Sequence, residues 1–326
     1  MISKTFLRDV KTIHDDTHNG AAKIAQNCLI ALKQECLVSS SQLTRSFLKE
    51  MIQLLLDTHP MATIGNALLP IYISLDKLIS SETFRKRDPK PSIEMIFAAR
   101  REQLRIGEKY TQETLIKELR DKDSILTFSH SSTVNNALLE LSKEGLTDKK
   151  IYILESRPLK EGGKSARILA GAGFKNVHFG IDFAVNEFSE HAEVAVLGAD
   201  MIHMDGRILN KVGSTTIAKI FNEMNKKVII AASMSKICLR SKFEEDQGWM
   251  PNIPHRKPRE VTRMKHPNLT VWNKYFEIIP AKLVSLLVLD KHKFHKPIEL
   301  QLNEFIEKSK LLDQVEILQQ SWKTCD

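Results

Sequence analysis

The hydrophobic pattern changes its period at Ser124, and this change constrains the fold more than any other feature of the sequence. From there on, short apolar runs of strand length alternate with segments of helical spacing. The predicted strands are residues 125–128, 151–154, 177–181, 194–197 and 228–231, and predicted helices lie between them at 134–141, 165–172 and 215–225. Because this alternation is typical of βαβ units, the sequence predicts an α/β fold, a Rossmann-like domain with a mostly parallel sheet.

The residues before this change have helical spacing. Prolines are predicted to divide them into several helices, at Pro60, Pro70, Pro89 and Pro91. Residues 93–119 are predicted to form one long amphipathic helix. A chain of 326 residues usually holds more than one hydrophobic core. We therefore predict a helical N-terminal domain over residues 1–118 and the Rossmann-like α/β domain over residues 119–326.

Residues 242–270 lack periodicity and are rich in Pro, Arg, Lys and His. We interpret them as a long solvated loop. The alternative is a surface that binds RNA or an acidic partner, and the absence of interleaved aromatic residues disfavours nucleic acid. Residues 282–290 are predicted to be a last strand or a helix end, and residues 299–320 to be a terminal helix.

Composition restricts the class of ligand and the cellular location. The net charge of +8 raises the affinity for polyanions such as phosphorylated metabolites or RNA, without identifying which. The four cysteines form no CxxC pair and no zinc-type spacing, which indicates reduced thiols and no metal site. The N-terminus has no signal-peptide core and no apolar run approaches the length of a membrane span, so we expect a cytoplasmic protein without a membrane partner.

Ligands bind beyond the carboxyl ends of the strands in open parallel sheets, which directs attention to the segment after each strand. Asp200 follows one predicted strand and could act as a general base or bind a sugar hydroxyl, or it could merely cap a loop. Arg157 follows another and suits a phosphate, with a structural salt bridge as the alternative. Asn210 and Lys211 could hold a hydroxyl and a phosphate. The helix that begins after Gly213 offers backbone N–H groups to an anion.

The segment 198–218, GADMIHMDGRILNKVGSTTIA, resembles a GAD…G…NKIGT…A signature. That signature characterises the family shared by the regulatory subunits of translation initiation factor 2B and the aldose–ketose sugar-phosphate isomerases. Four further segments resemble elements of the same family in the same order: Asn19-Gly20-Ala21, Glu155-Ser156-Arg157-Pro158, Val228 to Lys236 and Tyr275 to Pro280. The resemblance implies a helical N-terminal domain, a Rossmann-like C-terminal domain and a ligand pocket between them.

The resemblance also implies which residues bind the ligand. Carried over residue by residue, the sugar-phosphate or nucleotide-monophosphate pocket involves Gly20, Ala21, Arg157, Asp200, Asn210 and Lys211. No cofactor is implied. Members of the family form dimers or higher assemblies, so the expected partners are a phosphorylated small molecule and either a second copy of the chain or a paralogous subunit.

Two positions depart from the isomerase pattern. Ser129 stands where isomerases have a cysteine that works with the aspartate in proton transfer, and a serine hydroxyl is a far weaker acid than a thiol. It could shuttle a proton only with a positioned base, and the adjacent His130 is poorly placed for that role. His59 stands where some isomerases have a phosphate-binding arginine. We favour a histidine at a helix terminus over a pH-dependent substitute for that arginine.

Two functions follow from these residues. The first is an initiation-factor-2B-like regulatory protein that binds a sugar phosphate without turnover, which the serine at position 129 favours. The alternative is an intramolecular oxidoreductase, an aldose–ketose isomerase of the ribose-1,5-bisphosphate or methylthioribose-1-phosphate type, in which Asp200 and Ser129 would move protons. A role unrelated to translation remains a third hypothesis, since fold does not determine function.

Overall fold

The computed structural model describes residues 2–16, 19–59, 61–238, 253 and 255–309. These residues divide into two compact units. The first comprises described residues up to 106 together with 235–238 and 305–309, and the second comprises residues 107–234 with the described residues between 253 and 304. The predicted domain boundary at residue 118 stays a prediction.

The helices of the described residues are α1 (Lys4–His14), α2 (Ala21–Val38), α3 (Arg45–Leu56), α4 (Ala62–Ile79), α5 (Glu82–Lys86), α6 (Lys90–Leu119), α7 (Ser132–Lys143), α8 (Gly162–Gly171), α9 (Val185–His191), α10 (Ser214–Glu223) and α11 (Ile298–Lys308). The strands are β1 (Ser124–Phe128), β2 (Lys150–Leu154), β3 (Asn176–Gly180), β4 (Val194–Leu197), β5 (Met201–His203), β6 (Ile208–Lys211), β7 (Lys227–Ala232), β8 (Ile237–Cys238), β9 (Phe276–Ile279), β10 (Leu286–Leu289) and β11 (His292–His295).

The first unit is helical, as predicted, and its apolar side chains form one core. The buried members come from α1 to α4 and the start of α6, and include Phe6, Ile24, Leu32, Leu48, Met51, Leu68, Tyr72 and Ile93. Ser3 and Thr44 cap α1 and α3, because each side-chain oxygen accepts a hydrogen bond from a backbone N–H in the first turn. The predicted long helix is α6, which begins three residues before the predicted start at Ile93.

Pro70 does not divide the helices, contrary to the prediction, because it lies inside α4. A proline in a helix has no N–H to give to the carbonyl four residues earlier, which here belongs to Asn66. The guanidinium of Arg100 donates a hydrogen bond to that carbonyl instead. The helix therefore tolerates the proline because a side chain from α6 supplies the missing donor. The predicted break at Pro60 lies outside the described residues.

The second unit contains a seven-stranded sheet with the strand order β11-β10-β7-β4-β1-β2-β3. All neighbouring pairs in it are parallel except β10 and β11, so the predicted mostly parallel sheet is confirmed. Every residue of β1 and β4 is buried, which explains their continuous apolar runs. Because β1 pairs with both β2 and β4, the segments that follow these three strands leave the sheet at the same edge.

A second, antiparallel arrangement is built on β6, which pairs with β5 on one side and β9 on the other. The connection between β5 and β6 is a tight hairpin at Asp205-Gly206, with Gly206 in the left-handed region. In the pairing with β9, Asn210 lies opposite Glu277 and Lys211 lies opposite Phe276. This register decides which residue of β9 lies beside each candidate ligand-binding residue of β6.

Near the C-terminus, the structure extends the predictions. The predicted last strand or helix end contains β10, and β11 follows it as an edge strand that the sequence did not predict. Described residues 255–270 contain only one short 3-10 turn, at Pro258–Glu260, and residues 242–252 and 254 of the predicted loop lie outside the described residues. The predicted terminal helix at 299–320 is present as α11 up to Lys308, and residues 310–320 lie outside the described residues. No helix of the described residues is long and apolar enough to cross a membrane.

Candidate functional site

Ser129 follows β1 directly and adopts a left-handed backbone conformation, with φ of 64°. A serine in this region costs on the order of 1–3 kcal/mol and needs support from its surroundings. The hydroxyl of Ser165 in α8 donates to the Ser129 carbonyl at 2.9 Å, and the amide of Asn135 in α7 donates to that hydroxyl at 2.9 Å. Both supporting side chains are buried. The position of Ser129 at the end of the strand is therefore fixed by two helices.

The ring of His130 contacts the same two supporting side chains, Asn135 and Ser165. Its Nδ1 accepts a hydrogen bond from the Asn135 amide at 2.8 Å. Burial, together with the positive charge of Lys164, lowers the pKa of His130 to about 4. The ring is therefore neutral at physiological pH and is a weak base. The expectation that His130 is a poor proton acceptor for Ser129 agrees with this geometry.

The segment after β2 is held by Asp182, which lies two residues after the end of β3. Its two carboxylate oxygens accept hydrogen bonds from the backbone N–H groups of Ser156 and Arg157, each at 2.7 Å. The side chain of Arg157 is exposed, and its guanidinium donates to the Val261 carbonyl at 3.2 Å. Among the described residues Arg157 has no salt-bridge partner, and its exposed side chain lies beside Val261 of the predicted long loop.

Lys211 lies at the end of β6 and is almost fully buried, with its side chain 7% exposed. Its Nζ contacts Glu161 Oε2 at 2.6 Å, and Glu161 immediately precedes α8. The same carboxylate oxygen accepts a hydrogen bond from the Ser129 hydroxyl at 3.4 Å. Ser129, Glu161 and Lys211 thus form one polar cluster at the carboxyl edge of the sheet, and we call it the Glu161 cluster.

Aromatic rings cover the other side of the Lys211 ammonium. The ring centroids of Tyr275 and Phe276 lie 5.0 and 5.6 Å from Nζ, within cation–π distance. The Tyr275 hydroxyl donates to Glu260 at 2.7 Å, and burial and this carboxylate both raise the pKa of Tyr275. Tyr275 therefore stays protonated, and its neutral ring is held beside the Lys211 ammonium by the hydrogen bond to Glu260.

Asn210 faces the opposite side of β6, because consecutive residues of a strand point to opposite faces. Its amide donates to the hydroxyl of Ser214 at the start of α10, at 3.0 Å. Asp200 is half-buried and joins this hairpin through its backbone N–H, which donates to the Leu209 carbonyl at 2.9 Å. The structure therefore places Asp200 and Asn210 next to each other across the hairpin, while Lys211 belongs to the Glu161 cluster.

The N-terminus of α10 is occupied by a side chain, which corrects the prediction that its N–H groups are open to an anion. Glu277 Oε1 accepts hydrogen bonds from the backbone N–H groups of Gly213 and Thr215, at 2.9 and 2.7 Å. A carboxylate at this place satisfies the free donors of the helix and its dipole. A phosphate could use these N–H groups only by displacing Glu277.

Close packing at two glycines brings the segments after β1, β4 and β6 together. A Cβ at Gly198 would lie 2.6 Å from Ser131 Oγ, so the segment after β4 touches the segment after β1. A Cβ at Gly213 would lie 3.0 Å from the Phe128 ring, and its φ of 105° also excludes most side chains. The Glu161 cluster and the Asp200 hairpin therefore belong to one neighbourhood at the carboxyl ends of the central strands.

Gly20 and Ala21 belong to the first unit, where Gly20 precedes α2 and Ala21 is buried at its first position. A Cβ at Gly20 would meet nothing within 4 Å, so the packing of the chain gives no reason for glycine there. Their role in ligand binding stays a prediction. His59 is buried and its Nε2 donates to the Ile13 carbonyl at 2.7 Å, which favours the interpretation as a structural histidine. Among the described residues no three His, Cys, Asp or Glu side chains could together hold a metal ion.

The sequence did not single out Glu161 or Glu277. Both are acidic residues whose partners come from distant segments, Lys211 for Glu161 and the start of α10 for Glu277. The only available signal was position, since Glu161 lies between the ESRP element and a predicted helix, and Glu277 lies within the YFEII element. Only the fold shows that one carboxylate contacts the candidate lysine and serine together.

Comparison with known proteins gives relatives that match most of the chain. The ribose 1,5-bisphosphate isomerase of Thermococcus kodakarensis is 27% identical over 303 residues, which covers 89% of this chain and 91% of the relative. Two solved structures from Pyrococcus horikoshii share the fold at 20% identity. They are 5-methylthioribose 1-phosphate isomerase, with a TM-score of 0.75 over 93% of this chain and 88% of that one, and translation initiation factor eIF-2B, with a TM-score of 0.71 over 91% and 98%.

A sequence profile for the initiation factor 2 subunit family matches residues 17–293. This range includes both the helical residues from α2 onward and the parallel sheet with its carboxyl edge. The five sequence elements that carried the resemblance also lie within it. The protein is therefore a member of the initiation factor 2 subunit family.

Proposed function

We propose that this protein is an aldose–ketose isomerase that acts on a pentose carrying a phosphate at C1. The observation that carries the proposal is the Glu161 cluster, in which a buried ammonium lies beside a hydroxyl and a carboxylate at the carboxyl edge of the sheet. The hairpin that bears Asp200 belongs to the same neighbourhood. The relative that matches 89% of this chain is named ribose 1,5-bisphosphate isomerase, and this supports the same reaction class.

The reaction requires two kinds of proton movement. In a furanose 1-phosphate the bond between C1 and the ring oxygen must break, and that oxygen gains a proton. One hydrogen moves from C2 to C1, and the C2 hydroxyl loses its proton as the ketone forms. The composition does not change, so every group of the protein ends in its starting state. General acid–base catalysis of this kind contributes about 10²- to 10⁴-fold in rate.

The residues of the second unit suit these tasks. Asp200 is the proposed group that carries the hydrogen between the two carbons. Lys211 is the proposed phosphate-binding cation, and Arg157 is exposed and able to turn its planar fork toward a second phosphate. Asn210 lies beside Asp200 and offers an amide to a sugar hydroxyl. On this proposal the protein is a cytoplasmic enzyme without a cofactor.

A regulatory protein that binds the same ligand without turnover is the second candidate. The observation that favours it is Ser129, which stands where the isomerases of the family have a cysteine. In that case a second copy of the chain or a paralogous family subunit would recognise the ligand-bound form of the site. The initiation factor of Pyrococcus horikoshii resembles the chain in fold, and at 20% identity that likeness concerns the fold alone.

Proton NMR of the purified protein separates the two candidates. The protein is mixed with ribose 1,5-bisphosphate or with 5-methylthioribose 1-phosphate, and the signals of the sugar protons are followed. We expect the signals of a ketose to appear with one of the two, and to be absent with Asp200→Asn. Saturable line broadening without a new compound would overturn the enzyme and support the regulatory protein. Equal turnover by the wild type and Asp200→Asn would remove Asp200 from the mechanism.

A further inference from the structure

We infer that Glu161 is the base that serves Ser129, so that the serine and the glutamate together move the oxygen-bound proton that a cysteine thiol handles in related isomerases. This inference rests on the proposed isomerase and names a residue to which nothing in the sequence pattern assigned a role. A lone serine is too weak an acid for this task and needs a partner that takes and returns its proton. The structure supplies that partner from the segment after β2.

The contact between Ser129 and Glu161 is the first argument. The hydroxyl of Ser129 donates to Glu161 Oε2 across 3.4 Å, a long hydrogen bond. Long or poorly aligned hydrogen bonds are common in unliganded active sites and shorten when the substrate binds. The left-handed backbone of Ser129, held by Ser165, keeps the residue at the end of the strand within reach of this carboxylate.

The second argument is that the other nearby carboxylates and the adjacent histidine have structural partners. Asp182 holds two backbone N–H groups after β2, Glu277 holds two at the start of α10, and Glu260 holds Tyr275 and Asn273. His130 accepts from Asn135 and is a weak base. Glu161 instead contacts two groups of the site itself, the Ser129 hydroxyl and the Lys211 ammonium.

The proton balance fits this pair. Ser129 Oγ takes the proton of the C2 hydroxyl while its own proton passes to Glu161 Oε2. The reverse transfer, from Glu161 through Ser129, delivers a proton to the ring oxygen when the bond between C1 and that oxygen breaks. Asp200 takes the hydrogen from C2 and returns it to C1. Serine, glutamate and aspartate each end the reaction as they began it, and no oxidant or reductant is needed.

A four-variant comparison tests the inference: the wild type, Glu161→Gln, Ser129→Cys, and the two changes combined. We expect Glu161→Gln to lower kcat of the wild-type chain about 100-fold or more, with KM changed far less. In the Ser129→Cys background, where a thiol replaces the hydroxyl, Glu161→Gln should lower kcat by less than about threefold. Glu161→Asp should recover part of the activity, since it keeps the carboxylate.

A structural role for Glu161 gives a different result. If the glutamate merely orients Lys211, then Glu161→Gln will lower the activity of both backgrounds by the same factor, and this outcome overturns the inference. Unchanged kcat in Glu161→Gln overturns it as well. Glu140→Gln, in the exposed pair with Lys143 on α7, is the matched control and should leave turnover unchanged. Thermal unfolding of each variant identifies losses that come from folding.

The design separates the inference from the function beneath it. If the wild type converts a sugar phosphate and Glu161→Gln is equally active, the proposed isomerase function stands and only the role of Glu161 is overturned. A wild type that converts neither compound overturns the proposed isomerase and the inference with it. Turnover restored by Ser129→Cys in an inactive wild type would also overturn the inference, because the serine–glutamate pair would then be unable to do the work of the thiol.

Discussion

Glu277 accepts a hydrogen bond from the backbone N–H of Gly213 through Oε1, and the same oxygen accepts a second one from Thr215. The residue lies on β9, across the sheet from Asn210, and so joins the last part of the second unit to the start of α10. It acts as the N-terminal cap that this helix lacks locally, since Gly213 has no side chain to do so.

Glu277→Ala should therefore lower the free energy of unfolding by about 1–2 kcal/mol, because α10 loses both hydrogen bonds and a favourable charge. Glu277→Gln should cost less, since the amide oxygen still accepts. Urea unfolding followed by circular dichroism measures the difference. Glu223→Ala, at the exposed far end of the same helix, is the control and should have almost no effect. An equally small effect of Glu277→Ala would show that the cap does not stabilise the helix.

Lys211 and Glu161 should be energetically coupled. Lys211→Met leaves Glu161 with a partly buried charge that has lost its ammonium partner, and Glu161→Gln leaves the buried ammonium without its carboxylate. The losses of unfolding free energy in the two single variants should add up to more than the loss in the double variant. The difference, the coupling energy of the double-mutant cycle, should be on the order of 2 kcal/mol. Additive costs would indicate that the contact contributes nothing to stability.

Stability should also depend on His130 in acidic solution. The pKa of His130 is about 4 in the folded protein against an ordinary value of 6.5, so the unfolded chain binds a proton first as the pH falls. The contribution of the neutral His130 ring to the free energy of unfolding is fully present above pH 6.5 and is lost between pH 6.5 and 4. Since the ring is partly exposed, we expect a loss of only about 1 kcal/mol. His130→Gln should flatten this part of the profile measured by thermal unfolding. An unchanged profile would contradict the assignment.

Arg100 and Pro70 should form a compensating pair. Arg100→Met removes the donor that replaces the missing N–H of the proline, which leaves the Asn66 carbonyl without it and should cost about 1–3 kcal/mol. In a Pro70→Ala background the alanine supplies the N–H, so the same arginine change should cost less. Denaturant unfolding of the four proteins gives the interaction energy. Equal costs in both backgrounds would show that Arg100 stabilises α4 in another way.

The parallel sheet was predictable because its central strands are buried on both faces and therefore appear in the sequence as continuous apolar runs. Residues 194–197 are an example, since the predicted strand and β4 coincide. The edge strand β11 was missed because only Phe294 among its four residues is buried and the other three are His and Lys. Its pairing with β10 depends on a tight turn through Asp290, which has a positive φ. The sequence does not indicate this backbone conformation.

The roles of Asp200 and Lys211 in the candidate site stay predictions, which rest on residue type and on the motif that contains both residues. Their separation onto opposite faces of the hairpin sheet was not predictable, because it depends on the register between β5 and β6, in which Met201 lies opposite Leu209. The same holds for Glu161, whose meeting with Lys211 joins residues 50 positions apart in the chain. Pairings of this kind are decided by tertiary packing and leave no local pattern.

The pairing of Lys211 with Glu161 has a consequence for the concentration at which the site fills. The Glu161 carboxylate contacts the Lys211 ammonium at 2.6 Å and competes with any ligand for this cation. Because it belongs to the same chain, its effective concentration does not fall on dilution. If Lys211 binds the phosphate as proposed, a ligand must displace this internal anion, so weakly charged anions would fail and a phosphate dianion would succeed only above a threshold set by the strength of the pair. Selectivity for doubly charged ligands then arises without any further contact, from the carboxylate that occupies the site in their absence.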